Sequence, residues 1–276
     1  MTGTFTGGTT RGIGIGAGAE DRSASRVAVI LGGAAWILAT LQYAVAQVVV
    51  AAAWHHPPYS WLGNYISDLG NTACGRFTVP HGTPAYVCSP LHSAMNASFI
   101  IAGILTIAGA VLLPRFWPRS RGATVALVLW IITGLGKIVV GLVPENTNIS
   151  LHLLAAFNIP VGCVAILLLS LPARQASRAV SVAGIAAAVV GLAATALSTA
   201  AEFASSSSLD LGLRAGGMER VADYPGSLWI LMIGIIAVLS AGARAGRPAA
   251  PRLRQPTPGR AGRAGQTAGN EKKTTW

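Results

Sequence analysis

Six uninterrupted apolar stretches, each about as long as a bilayer is thick, constrain this 276-residue chain more than any other feature. They cover approximately 27–53, 91–113, 123–143, 151–171, 179–203 and 226–243. Crossing the hydrocarbon core takes about 20 apolar residues of helix, because lipid offers the backbone no hydrogen-bond partner. A helix that is apolar all round needs lipid or a large core about it, and six of them leave no residues to build that core. Only 11% of the residues are charged, against about 25% in a soluble domain, so a water-facing surface cannot be covered. The pattern predicts an all-α, polytopic integral membrane bundle of about six transmembrane helices over 26–243. The first stretch ends in Ala51-Ala52-Ala53, which resembles a signal cleavage site, but its apolar run is too long for a leader and a retained anchor is predicted.

Lysine and arginine set the expected orientation. With the N-terminus inside, sixteen of the twenty basic residues fall on cytoplasmic segments: Arg11, Arg22 and Arg26, then Arg115, Arg119 and Arg121, then Arg174 and Arg178, and eight in the tail. Only Arg76, Arg214 and Arg220 fall outside, and Lys137 lies within a span. The positive-inside rule therefore predicts two cytoplasmic termini in a plasma membrane. Residues 1–25, rich in Gly, Thr, Ser and Ala, are expected to be disordered. The tail 244–276 is expected to be a disordered basic segment attracted to anionic lipid heads. The net charge of +11 does not read as nucleic-acid binding, because no aromatic-interleaved groove accompanies it; membrane lipids are the expected partners.

The residues capable of chemistry gather on the opposite, outer side. The loop after the first stretch holds Trp54, Tyr59, Trp61 and Tyr65, which suit an interfacial aromatic belt, followed by Ile66-Ser67-Asp68-Leu69-Gly70. Asp68 has the chemistry to accept from backbone N–H groups, with Gly70 permitting a tight turn. Cys74 and Cys88 share this loop, and facing an oxidising compartment they are expected to form a disulfide, leaving Cys163 a free thiol. His92 and His152 each open a span, and Asn96 lies one helical turn after His92. Lys137 lies about 9 Å below the outer end of the third span. Gly134, Gly136 and Gly141 beside it indicate close helix packing, so Lys137 is expected to face an acid. Asp68 is the first choice of partner, Glu202 the second, and Glu145 a further candidate.

The Ile66–Gly70 sequence after a first span, a cysteine-bearing loop and a second span opening at Pro90-Leu91-His92 resemble a prokaryotic multi-span membrane family without an assigned reaction. More distantly, the pentapeptide resembles one in the eukaryotic Frag1/DRAM/Sfk1 family, with Leu69 in place of that family's threonine. The nearer resemblance implies a fold from about 27 to 243 and a prokaryotic origin. The distant one implies lipid biology, including anchor remodelling.

Three classes of function remain open at this point. Asp68, His92, Lys137 and His152, with Ser67, Asn96, Glu145, Asn158 and Glu202 around them, could line an outward-facing pocket that binds or modifies a lipid or other amphiphile. Two histidines and a carboxylate (His92, His152 and Asp68) are enough for a divalent-metal site with open positions. The alternatives are a non-enzymatic accessory or scaffold protein, and a small-solute transporter.

Overall fold

The computed structural model describes residues 16–82, 84–204 and 207–243. Among these residues seven α-helices make up six spans: α1 Gly16–Ala53, α2 His92–Leu112, α3 Arg121–Leu142, a fourth span divided into α4 Ile149–Ala156 and α5 Asn158–Ala173, α6 Arg178–Ala204, and α7 Arg214–Ala243. Six are long and apolar enough to cross a membrane when α4 and α5 are taken together. The chain is a multi-pass membrane protein. Leu31, Leu38 and Val45 on α1, and Val125, Val128 and Leu135 on α3, point outward from the bundle, as side chains that dissolve in lipid must.

The helices form a closed ring in chain order. α1 packs on α2, α2 on α3, α3 on α5, α5 on α6, α6 on α7, and α7 returns to α1. One end of the ring carries Arg26, Arg115–Arg121 and Arg174–Arg178, and is called the arginine end below. The other carries a loop with a short antiparallel hairpin, β1 Gly75–Phe77 paired with β2 Ala85–Val87, and is called the hairpin end. The Cys74–Cys88 disulfide closes the base of this hairpin, and Cys163 is buried and free.

Two apolar cores stack along the ring axis. Toward the arginine end, Trp36, Trp117, Trp130 and Trp229 pack on one another, with Trp117 and Trp130 each stacked on Trp229 at 6.0 Å. Toward the hairpin end the core is Tyr43, Val50, Ile66, Leu69, Met95 and Phe99. Polar bonds tie adjacent spans: Thr40 Oγ1 donates to the Ser227 carbonyl (3.0 Å), and Ser98 Oγ donates to Gln42 Oε1 (2.9 Å). Glycines bring backbones together. A Cβ on Gly134 would sit 2.7 Å from the Gly103 carbonyl, and one on Gly136 would sit 2.7 Å from the Ala155 carbonyl. The glycines flanking Lys137 thus do mark close helix contacts, as their spacing predicts.

Three departures from the sequence reading matter for function. α1 starts at Gly16, inside the segment expected to be disordered; no proline interrupts residues 16–26, and an existing span propagates a helix at little cost. The expectations for residues 1–15 and 244–276 lie outside the described residues. α7 starts at Arg214 rather than 226, so Glu219, Arg220 and Asp223 stand on a helix instead of in a loop. Finally, the fourth span breaks at Phe157. Pro160 lacks the N–H that would bond the Ala156 carbonyl, and its ring crowds that carbonyl. Asn158 Nδ2 donates instead to the Ala155 carbonyl at 2.9 Å.

Candidate polar centre at the hairpin end

The turn that precedes the hairpin is a single 3-10 turn, Ser67–Gly70. Asp68 shapes it, as its sequence position suggests: Oδ2 accepts from the Tyr65 N–H (3.0 Å) and from Asn64 Nδ2 (2.9 Å). Gly70 is required less by backbone conformation than by proximity, because a Cβ there would collide with Asn96 Oδ1. Asn96 Nδ2 donates to the Gly70 carbonyl at 2.8 Å and so fastens the turn to α2.

Asp68 does not meet Lys137. Its neighbour is Glu145, which it meets carboxyl to carboxyl, with Ser67 and Asn71 also bonded to Glu145. Burial first, and then the Asp68 charge, push the Glu145 pKa well above the ordinary carboxylate value, and Glu219 adds to the shift. Burial and the neighbouring carboxylate thus favour the protonated form of Glu145 and tie its proton to its surroundings. The consequence for stability has a definite sign. A carboxyl whose pKa is raised by folding stabilises the folded state fully below its unfolded value, and that contribution is lost as pH rises through the folded value. The unfolding midpoint of detergent-solubilised protein should thus fall as pH rises from about 4.5 upward, and Glu145→Gln should flatten the slope. An identical slope in the variant would assign the effect to another group.

Lys137 is 9% exposed and its Nζ is 3.2 Å from Asp223 Oδ1 on α7. The expected partners Asp68 and Glu202 are both occupied elsewhere. Asp68 holds the turn, and Glu202 Oε1 accepts from the Tyr65 hydroxyl at 2.7 Å. Burial and that carboxylate together raise the Tyr65 pKa, which keeps its proton in the bond. The Lys137 ammonium also lies over the Tyr43 ring, 4.8 Å from its centre, and Ser227 Oγ lies 3.4 Å from Asp223 Oδ2.

Two small cavities meet at this ion pair. One, about 30 Å³, is lined by Tyr43, Ser67, Lys137, His152, Asn158, Glu219 and Asp223 among others. The second, also about 30 Å³, shares Lys137, Asn158, Ile159 and Asp223 and extends toward Trp130 and Cys163. Each has room for about one water. Asn158 is 7% exposed and its Oδ1 has no hydrogen-bond donor. Ala156, whose carbonyl receives no bond from Pro160, is also among the residues lining the first cavity.

Of the residues proposed from sequence, Ser67, Lys137, His152 and Asn158 share a cavity wall, and Asp68 and Glu145 adjoin it. Asn96 and Glu202 support the turn from outside. His92 stands apart, its Nδ1 bonded to the Ser89 carbonyl at 3.0 Å. His152 Nδ1 is bonded to the Val143 carbonyl at 2.7 Å. Among the described residues no three His, Cys, Asp or Glu side chains cluster closely enough to hold a metal ion, so the Asp68–His92–His152 grouping is not assembled. Sequence reasoning does not reach four residues of the site: Tyr43, Glu219, Arg220 and Asp223. Arg220 Nη1 donates to the carbonyls of Trp61 and Asn64 (2.8 and 3.0 Å), and Nη2 bonds the Tyr59 hydroxyl. Trp54 and Tyr59 are correspondingly buried and form the floor of the loop, not an interfacial belt. The Ile66 N–H donates to Glu219. One signal is present in the sequence: Glu219 and Asp223, like Arg220 and Tyr224, are spaced four apart, the period of one helix face.

The family model described as a protein of unknown function, DUF998, matches residues 37–236. No curated protein matches, and no solved structure matches, so the more distant likeness to the Frag1/DRAM/Sfk1 family gains no support from relatives.

Proposed function

The chain belongs to the DUF998 family, and for this member we propose that the hairpin-end centre binds the polar group of an amphiphile, one that presents hydrogen-bond donors such as an ammonium or hydroxyls. The carrying observation is the imbalance of the site. Five carboxyl groups (Asp68, Glu145, Glu202, Glu219 and Asp223) stand against two cations, Lys137 and Arg220, and the buried Asn158 Oδ1 adds an unpartnered acceptor. A buried acceptor without a donor costs about 1–3 kcal/mol, and a donating ligand removes that cost. The present cavities hold water-sized groups only, so a headgroup enters by movement of the loop over 54–91. The basic bias further supports an arrangement with this end outside and both termini cytoplasmic in the plasma membrane. Labelling of an engineered Ser150→Cys thiol by an impermeant reagent tests that arrangement; modification only from the cytoplasmic side would reverse it.

Binding is tested with single-chain probes of equal length added to the purified protein: dodecylammonium, dodecyl maltoside and dodecyl sulfate. The expected result is a rise in unfolding midpoint with dodecylammonium or the maltoside, absent with the sulfate and lost in Asn158→Val. A ligand at about 100 times its Kd stabilises by about 2.7 kcal/mol, ample for detection. Equal shifts for all three probes, unchanged in Asn158→Val, would leave the cluster a structural tie and favour the accessory or scaffold reading.

A further inference from the structure

A large cavity lies at the other end of the ring and plays no part in the proposal above. It measures about 1450 Å³ and is walled by the start of α1 (Ser23, Arg26), the α2–α3 connection (Arg115 to Arg121) and the last turn of α7 (Ser240, Ala241). Three observations define what fits it. Among the described residues its charged lining has one sign: Arg26, Arg119 and Arg121 line it, together with Arg115. Among the described residues no carboxylate pairs with Arg26, Arg119 or Arg121. The Glu20 and Asp21 side chains lie outside the described residues. Its floor is aromatic, with Phe116 edge-on to Trp117 at 5.2 Å and Trp117 anchored by its stack on Trp229.

Arginines spread along the ends of spans merely to fix orientation need no concavity between them. Here the cleft opens between the ends of α1, α2, α3 and α7, and arginines and aromatic rings share its wall. Basic pockets of this form between transmembrane helices bind anionic headgroups, and the arginine fork matches phosphate oxygens two at a time. We propose that the arginine-end cleft is a binding site for an anionic phospholipid, its phosphate held by Arg26, Arg119 and Arg121 and its glycerol and upper chains against Phe116 and Trp117. The chain's own tail is excluded as occupant by charge, since residues 244–276 carry eight Lys or Arg and one acid.

Native mass spectrometry of the full-length protein, titrated with phosphatidylglycerol or phosphatidylcholine, tests the site. Phosphatidylglycerol adducts are expected to saturate at low stoichiometry and to outcompete phosphatidylcholine. In the triple variant R26Q/R119Q/R121Q binding should weaken on the order of 100-fold, at about fivefold per arginine. Replacing the eight basic tail residues by glutamine in the full chain should leave the adducts in place. Equal retention of both lipids by the unaltered protein overturns the proposal whatever the variant does. So does loss of the adducts on neutralising the tail alone. Inorganic phosphate that displaces the lipid at equal concentration would show that the cleft recognises a free anion and not a lipid.

Discussion

Asp223→Ala is expected to cost about 3–5 kcal/mol of stability, because it leaves the Lys137 ammonium unpaired where the bundle excludes water. Gly134 and Gly136, beside Lys137 on α3, are pressed against α2 and the α4–α5 junction, so the lysine has little freedom to reach the headgroup layer. Lys137→Met should cost a comparable amount by stranding the carboxylate. Replacing both members of the pair, as in Lys137→Met with Asp223→Leu, should recover much of either single loss, since no buried charge then lacks a partner. Unfolding midpoints in detergent for the two single variants and the double variant measure this coupling. Strictly additive losses would mean that the two groups do not depend on each other.

Gly134→Leu is expected to be as damaging as the loss of a buried charge partner. Gly134 and Gly103 face each other across the α2–α3 contact, each close to the other's carbonyl, and Ile107 fills the remaining space. A leucine there must push two spans apart, at a cost of about 3 kcal/mol, the upper part of the range for overpacking. Gly134→Ala should already be harmful, because its Cβ would lie 2.7 Å from backbone that cannot move aside. Gly242→Ala is the control, with nothing within 4 Å of the added atom, and its midpoint should match that of the unaltered protein. Equal behaviour of Gly134→Ala and Gly242→Ala would show that α2 and α3 have slack at this crossing.

The spans, the cysteine pairing and the burial of Lys137 were legible because each rests on a local or compositional signal: apolar length, two cysteines in one loop, and glycines flanking a lone cation. The partner of Lys137 was not. Asp223 sits in a stretch with Gly216, Gly217, Glu219, Arg220 and Pro225 that reads as a loop by composition. It folds as helix because its charged groups find partners far along the chain, Arg220 at Tyr59 and Trp61, and Glu219 at Ile66. Such long-range satisfaction leaves no trace in a local window. The break at Phe157 is different, since Pro160 marks it in the chain and only the fate of the neighbouring carbonyl depends on tertiary structure. His92 illustrates the converse, a residue of suitable chemistry that a local bond to Ser89 draws away from the centre.

The stacked tryptophans give the protein an optical property of its own. Trp117, Trp229, Trp130 and Trp36 form a column from the arginine end to the middle of the ring, with centroid separations of 5.5 to 6.2 Å. Indoles this close couple their electronic transitions, so the near-ultraviolet dichroism of the molecule should be dominated by this column. Excitation absorbed by any one of the four can migrate to the others. A quencher held against Trp117 on the floor of the cleft would therefore darken the whole column, while Trp61, exposed at the far end, would go on emitting.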